Sequence, residues 1–169
     1  MISTLFTIGH SRHAVEHFVS LLRVHAIERL VDVRSHPSSK WARHFDKTAL
    51  AQTMAGHAVD YVFLGRQLGG RPEGREFYRV DGSVDYVLRA AALDFTAGIA
   101  QLVELASIRR TVILCAEEDP ARCHRRLLVA PALRRAGLTV VHIRGDARLD
   151  PDTCDPSPSR QFDLFGGES

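Results

Sequence analysis

Apolar residues in this chain fall into short blocks that alternate with stretches of helical spacing. Leu5-Phe6-Thr7-Ile8 mixes aromatic and β-branched residues and runs into Gly9-His10-Ser11, which predicts a strand entering a turn. Val15, Phe18, Val19 and Leu22 then recur at the spacing of one helix face, with Ile27 just past the expected end near His25. Leu30-Val31-Asp32-Val33 predicts a second buried strand, and Arg34 to Lys40, with Pro37 among its serines, a loop. Asp46 is placed to cap a short helix through Leu50 and Met54, with Gly56 as its stop; Ala58 to Leu64 predicts a third strand.

From Gly65 to Gly82 the chain is rich in Gly and Arg around Leu68-Gly69-Gly70-Arg71-Pro72, which predicts a long irregular crossing. Helical character returns from Ser83 to about Ile108, with a break expected near Asp94 or Gly98. Thr111-Val112-Ile113-Leu114 is the clearest core strand. Asp119-Pro120 offers a cap and a first helical residue, Leu127, Leu128 and Leu133 an apolar side, Pro131 a kink and Gly137 an end; Leu138 to Ile143 completes the set as a strand. Strands separated by helices predict a single α/β domain, its sheet mostly parallel with helices on both faces. That domain is expected to span 1–145. Residues 146–169 hold three prolines and almost no apolar residues before Phe162, which predicts a flexible tail.

Composition adds little. The 169 residues are 45% hydrophobic and 25% charged, which fits a globular domain; the net charge of +2 does not by itself imply nucleic acid, although 22 Lys and Arg permit a local basic patch, so charge does not decide the partner. Three cysteines without the spacing of a disulfide framework predict a reducing, cytoplasmic setting, and no segment has the length of a membrane span.

Candidate chemistry sits where strands should emerge into loops. Cys115 is expected at the end of the central strand, with Cys123 and His124 in the first turn of the next helix, whose dipole favours a thiolate or bound anion. Cys123 is also in register with Leu127 and Ala130 and reads equally well as a small core residue. Glu117, Glu118 and Asp119 follow Cys115, and their charge is expected to repel an incoming anion, against a simple anion cradle. Glu117 suits general acid/base work, or a share in a metal site with Cys115, Cys123 and His124. The Cys-x7-Cys-His spacing matches no common zinc pattern, so no metal is assigned, and the cofactor is left open. Asp32 and Arg34 alternate along a strand and can face one side together, as an ion pair or as site residues. His10 and Ser11 end the first strand. If the first, second and central strands are neighbours, His10, Ser11, Arg34, Cys115 and Glu117 surround one crevice.

These residues resemble the family known as domain of unknown function 488. The resemblance rests on Thr7-Ile8-Gly9-His10-Ser11, Asp32-Val33-Arg34 with Pro37 and Ser39, Tyr61, Leu68-Gly69-Gly70, Cys115-Ala116-Glu117 and Cys123-His124-Arg125. It implies an α/β domain whose motif residues share a site, distantly similar to rhodanese in pairing an Asp-x-Arg strand with a strand-end Cys. The resulting assignment makes Cys115, Glu117, His10 and Asp32 catalytic. Ser11, Arg34, Ser39, Gly69, Gly70, Arg71, His124 and Arg125 are expected to bind substrate.

In the tail, Gln161-Phe162-Asp163-Leu164-Phe165 looks like the peptide by which bacterial repair and replication proteins bind the DNA sliding clamp, with Gln161, Leu164 and Phe165 as its anchors. The leading expectation is therefore an enzyme acting on nucleic acid or a nucleotide and delivered to DNA by the clamp, which a direct titration against a clamp would test. A rhodanese-like thiol or sulfur-transfer enzyme using Cys115 and a non-catalytic adaptor binding clamp and nucleic acid are the alternatives.

Overall fold

The computed structural model of the chain describes residues 4–153. Cys154 and the clamp-like residues Gln161, Leu164 and Phe165 lie outside the described residues.

Six strands form one sheet: β1 (Thr4–Gly9), β2 (Arg29–Asp32), β3 (Asp60–Phe63), β4 (Thr111–Cys115), β5 (Thr139–Ile143) and β6 (Leu149–Pro151), in the order β3-β2-β4-β1-β5-β6. All neighbours are parallel except β5 and β6. The helices are α1 (Val15–Val24), α2 (Lys47–Gly56), α3 (Gly65–Leu68), α4 (Tyr86–Ala91), α5 (Leu93–Ile108) and α6 (Ala130–Arg135). The strand alternation explains the two faces. Phe6, Ile8, Leu30, Val112 and Leu114 pack on α1 and α2 through Phe18, Leu22, Leu50 and Met54. Their neighbours Leu5, Val31, Ile113 and Val140 point the other way, onto Leu68, Phe95, Leu102 and Leu133 of α3, α5 and α6.

This order creates the site. From β1 the chain crosses towards β2, and from β4 it crosses the other way to β5, so the carboxyl ends of the adjacent β1 and β4 form a topological switch point, where open α/β sheets bind ligands. The ends are level: Gly9 pairs with Cys115, and Asp32 with Leu114. The first, second and central strands are neighbours, as the single-crevice reading requires.

Local differences from the sequence reading have physical reasons. The ordered chain continues past residue 145: β6 adds an antiparallel edge, and buried Asp152 pairs with Arg134 and Arg126 and donates its N–H to Val140. Charged residues, which composition assigns to a tail, here tie down the edge strand. The break in the 83–108 helix falls at Ala92, bridged by the buried Arg89, whose guanidinium donates to both oxygens of Asp94 at 2.7 and 2.9 Å. Asp46 makes no side-chain cap, because its carboxylate accepts from the Ser39 N–H instead. Asp119-Pro120 starts only a 3₁₀ turn (Pro120–Arg122), after which Cys123 is extended and a π-turn (Arg125–Val129) leads into α6. Pro131 lies just beyond that wide turn and lacks the N–H that would continue a regular one. Cys123 thus precedes the helix and is not within its first turn.

Candidate active site

Two sulfurs and an imidazole meet at the end of β4. The Cys123 thiol donates to Cys115 Sγ across 2.7 Å, closer than non-bonded sulfurs ordinarily approach. His124 Nδ1 lies 3.5 Å from Cys115 Sγ and 3.8 Å from Cys123 Sγ. His124 Nε2 is 3.1 Å from the Val33 carbonyl, which can only accept. The proton on Nε2 is thereby fixed and Nδ1 faces the sulfurs. The Cys123 contact, the His124 hydrogen bond and the charges of His124 and Arg125 draw the Cys115 thiol far below its usual range, against the opposing effect of burial. The same contact, with burial, pushes the Cys123 thiol up. Cys115 is the thiolate of the pair and Cys123 its proton-bearing partner.

These three side chains also form a possible metal-ligand cluster, their donor atoms all within 4.8 Å of one another. Tetrahedral Zn²⁺ with bonds of about 2.3 Å holds two thiolates roughly 3.8 Å apart. The two sulfurs would have to separate by about 1 Å to take such an ion.

The loop after Cys115 is clamped from below. Arg125, fully buried, donates to the carbonyls of Glu117 at 2.5 Å and Glu118 at 2.6 Å. A Cβ on Gly9 would lie 1.7 Å from the Glu117 carbonyl oxygen, so only glycine allows this approach of β1 to the loop. Arg125 therefore holds the loop and does not face a ligand, a correction to its expected substrate-binding role. Anion repulsion by the loop is also overturned. Glu118 accepts from Arg144 on both oxygens at 2.9 Å, which draws its carboxyl down to about 2, and Asp119 accepts from the Ala121 N–H. Only Glu117 lines the pocket.

Asp32 and Arg34 form a second, neighbouring network. The Asp32 carboxylate is fully buried and accepts from the Arg34 backbone N–H, Nε and Nη2 and, at 2.7 Å, from the Tyr61 hydroxyl. With both oxygens occupied, Asp32 positions Arg34 and cannot exchange protons with a substrate, against its expected catalytic role. Arg34 also donates to the Phe45 carbonyl and, at 3.2 Å, to His10 Nε2. Four of its five guanidinium hydrogens are thus committed, leaving one for the pocket. His10 donates from Nδ1 to the Ser11 carbonyl and stacks on Phe45 with centroids 4.5 Å apart. Burial, the largest influence on this imidazole, pulls it down to about 4, so it is neutral at pH 7 and accepts from Arg34. His10 braces Arg34 and is not placed to act as a base.

The remaining expected residues divide by position. Gly70 and Arg71 line the pocket, and a Cβ on Gly70 would come within 2.7 Å of the His124 ring. Gly69 packs behind, against Ser35 Oγ and the Gly65 carbonyl. Ser39 reaches the pocket wall while its hydroxyl accepts from the Trp41 and Ala42 N–H groups. Ser11, at φ 47°, donates its N–H to the Ala116 carbonyl and lies outside the lining.

The pocket itself has a volume of about 450 Å³ and joins both networks, with Cys115, Cys123 and His124 on one side and His10 and Arg34 on the other. Its lining includes five residues that the sequence did not single out: Ser35, His36, Ser38, Tyr86 and Arg122. Arg122 had a signal, since the turn begun at Asp119-Pro120 carries it to the mouth beside Cys123. Arg71 and Arg122 are both exposed, and among the described residues neither guanidinium has an ion-pair partner. Glu117 is the single carboxylate in the lining, where the Cys115 thiolate is the other negative group.

A family profile, described as Domain of unknown function DUF488, matches residues 14–131. The match takes in Asp32, Arg34, Cys115, Cys123 and His124 and begins after His10. No curated protein and no solved structure matches the chain. On the extent of the profile match, the chain belongs to the DUF488 family.

Proposed function

We propose that this protein is a thiol-dependent enzyme whose Cys115 thiolate attacks a sulfur atom of a small anionic substrate. The observation that supports it best is the placement of Cys115 Sγ, 2.7 Å from a second thiol and 3.5 Å from His124 Nδ1, in a pocket rimmed by Arg71 and Arg122. A thiolate that persists at neutral pH is the reactive form of cysteine, and disulfides and persulfides are its natural electrophiles. Arg71 and Arg122 supply long-range attraction, while Arg34, rigidly held, offers one directed hydrogen bond. Glu117 is the group free to move a proton at the mouth.

Cations alone do not distinguish a carboxylate from a phosphate, so a nucleotide or the end of a nucleic acid is accommodated by the same rim. The test separates them. Reduced protein is mixed with oxidised glutathione, which carries carboxylates, or with neutral 2-hydroxyethyl disulfide, and labelling of Cys115 is followed by mass spectrometry. Reaction with the anionic disulfide is expected to be faster and salt-sensitive, and Arg71→Ala with Arg122→Ala to slow it roughly tenfold while leaving the neutral reagent nearly unaffected. Competition by a nucleoside monophosphate would assign the rim to phosphate. Equal rates for both disulfides in all variants would remove the anionic substrate, and no labelling of Cys115 would leave a non-catalytic binding role.

A further inference from the structure

Cys123 forms no bond to substrate in the first attack, where it only helps to hold the Cys115 thiolate; it is 2% exposed, lines the same pocket and touches the reacting sulfur. A core cysteine would pack against aliphatic neighbours; this one is aimed at Cys115, with His124 Nδ1 3.8 Å from its own sulfur. The two cysteines arrive from different segments, one at the end of β4 and one after the 3₁₀ turn, and the loop between them is fixed by Arg125 and by Asp119. Such fixed approach converts a reaction between two thiol groups into a unimolecular step.

We propose that Cys123 is the resolving thiol of a dithiol–disulfide cycle in which small disulfides or persulfides are reduced. The inference rests on the reading of Cys115 as the nucleophile. In the first step Cys115–S⁻ attacks one sulfur of R–S–S–R′; a Cys115–S–S–R bond forms, the R–S–S–R′ bond breaks, and R′S⁻ takes the proton of His124 Nδ1 and leaves as a thiol, with His124 now neutral. In the second, Cys123 gives its proton to His124 Nδ1 and its thiolate attacks Cys115 Sγ. The Cys115–Cys123 bond forms, the bond to R breaks, and RS⁻ takes that proton from His124 and leaves as a thiol. The substrate gains two electrons and two protons as two thiols, and the protein loses the same. With a persulfide, R is hydrogen and the second leaving group is sulfide. Return to the dithiol uses an external thiol as reductant. The high proton affinity of Cys123 fits this order, since it stays protonated until the adduct removes the Cys115 charge.

The test treats the reduced full-length chain with excess oxidised glutathione at pH 7, quenches in acid, alkylates free thiols and identifies the peptides. The wild type is expected to yield a Cys115–Cys123 linked peptide and two glutathione thiols per chain, with the Cys115 adduct decaying at least about a hundredfold faster than in Cys123→Ala. Cys123→Ala is expected to stop at a stable glutathione adduct on Cys115 with one thiol released. A persistent adduct in the wild type with Cys123 still free would overturn the resolving role while leaving Cys115 as the nucleophile. Absence of any Cys115 adduct or linked peptide would remove both readings. Stoichiometric zinc in the purified protein, with both thiols protected until chelation, would overturn the cycle in favour of a metal centre. If Cys123→Ala does not fold, the wild-type products alone decide between these outcomes.

Discussion

Replacing Cys115 by Ser is expected to abolish reaction with disulfides, a loss on the order of a thousandfold or more, because a serine hydroxyl stays protonated at neutral pH and an oxygen nucleophile does not exchange with disulfide sulfur. The change removes little volume from a 6% exposed strand end. The melting temperature is therefore expected to move by only a few degrees, and the loss can be read as chemistry. Cys123→Ala is the internal comparison: it loses resolution, and its first attack is slower but still ends on Cys115, because His124 and Arg125 still favour the thiolate. Mass-spectrometric labelling distinguishes the two, and a Cys115→Ser protein that still forms a mixed disulfide elsewhere in the pocket would show that the wrong thiol was chosen.

The second large effect is structural. Asp32→Ala removes the carboxylate that accepts three N–H groups from Arg34 and the Tyr61 hydroxyl, all in a fully buried position. Arg34, 5% exposed, is left as an uncompensated buried charge. Breaking such a pair by removing one partner costs about 3–5 kcal/mol, which in a domain of this size lowers the melting temperature by roughly 10 °C or more. Tyr61→Phe removes one hydrogen bond and should cost only about 1 kcal/mol. Thermal unfolding of both variants checks the contrast. Equal, small losses would mean that Asp32 is not the anchor of Arg34 and would return it to the list of proton-exchanging candidates.

The first five strands were legible in the sequence because each carries a short apolar block that includes β-branched residues. Convergence of His10, Arg34 and Cys115 followed once β1, β2 and β4 were neighbours. Roles were harder to read than positions. Asp32 and His10 are residue types that do acid–base chemistry, and only the saturation of their hydrogen-bonding atoms assigns them to bracing Arg34. The acidic run at Glu117-Glu118-Asp119 looked repulsive because spacing cannot say that Arg144, from the end of β5, neutralises Glu118. Cys123 was balanced between core and site, and what decides it is a contact between segments eight residues apart that no periodicity encodes. The edge strand β6 was lost to composition, since its anchors are the buried ion pairs of Asp152 and not apolar side chains.

Cys115 is held as a thiolate at neutral pH, and the pH dependence of its alkylation rate reads that state at the residue itself. Only the thiolate reacts, so the rate follows the fraction deprotonated. A depressed pKa places the rise in the acid range: alkylation of Cys115 by iodoacetamide, read at its own peptide, is expected to be flat from about pH 6 to pH 9, while a free cysteine derivative rises through its ordinary value near 8.5. His124→Ala should move the Cys115 rise upward, towards the free thiol. A wild-type Cys115 whose rate instead climbs about tenfold per pH unit between 6 and 8, in step with the free thiol, would contradict the account.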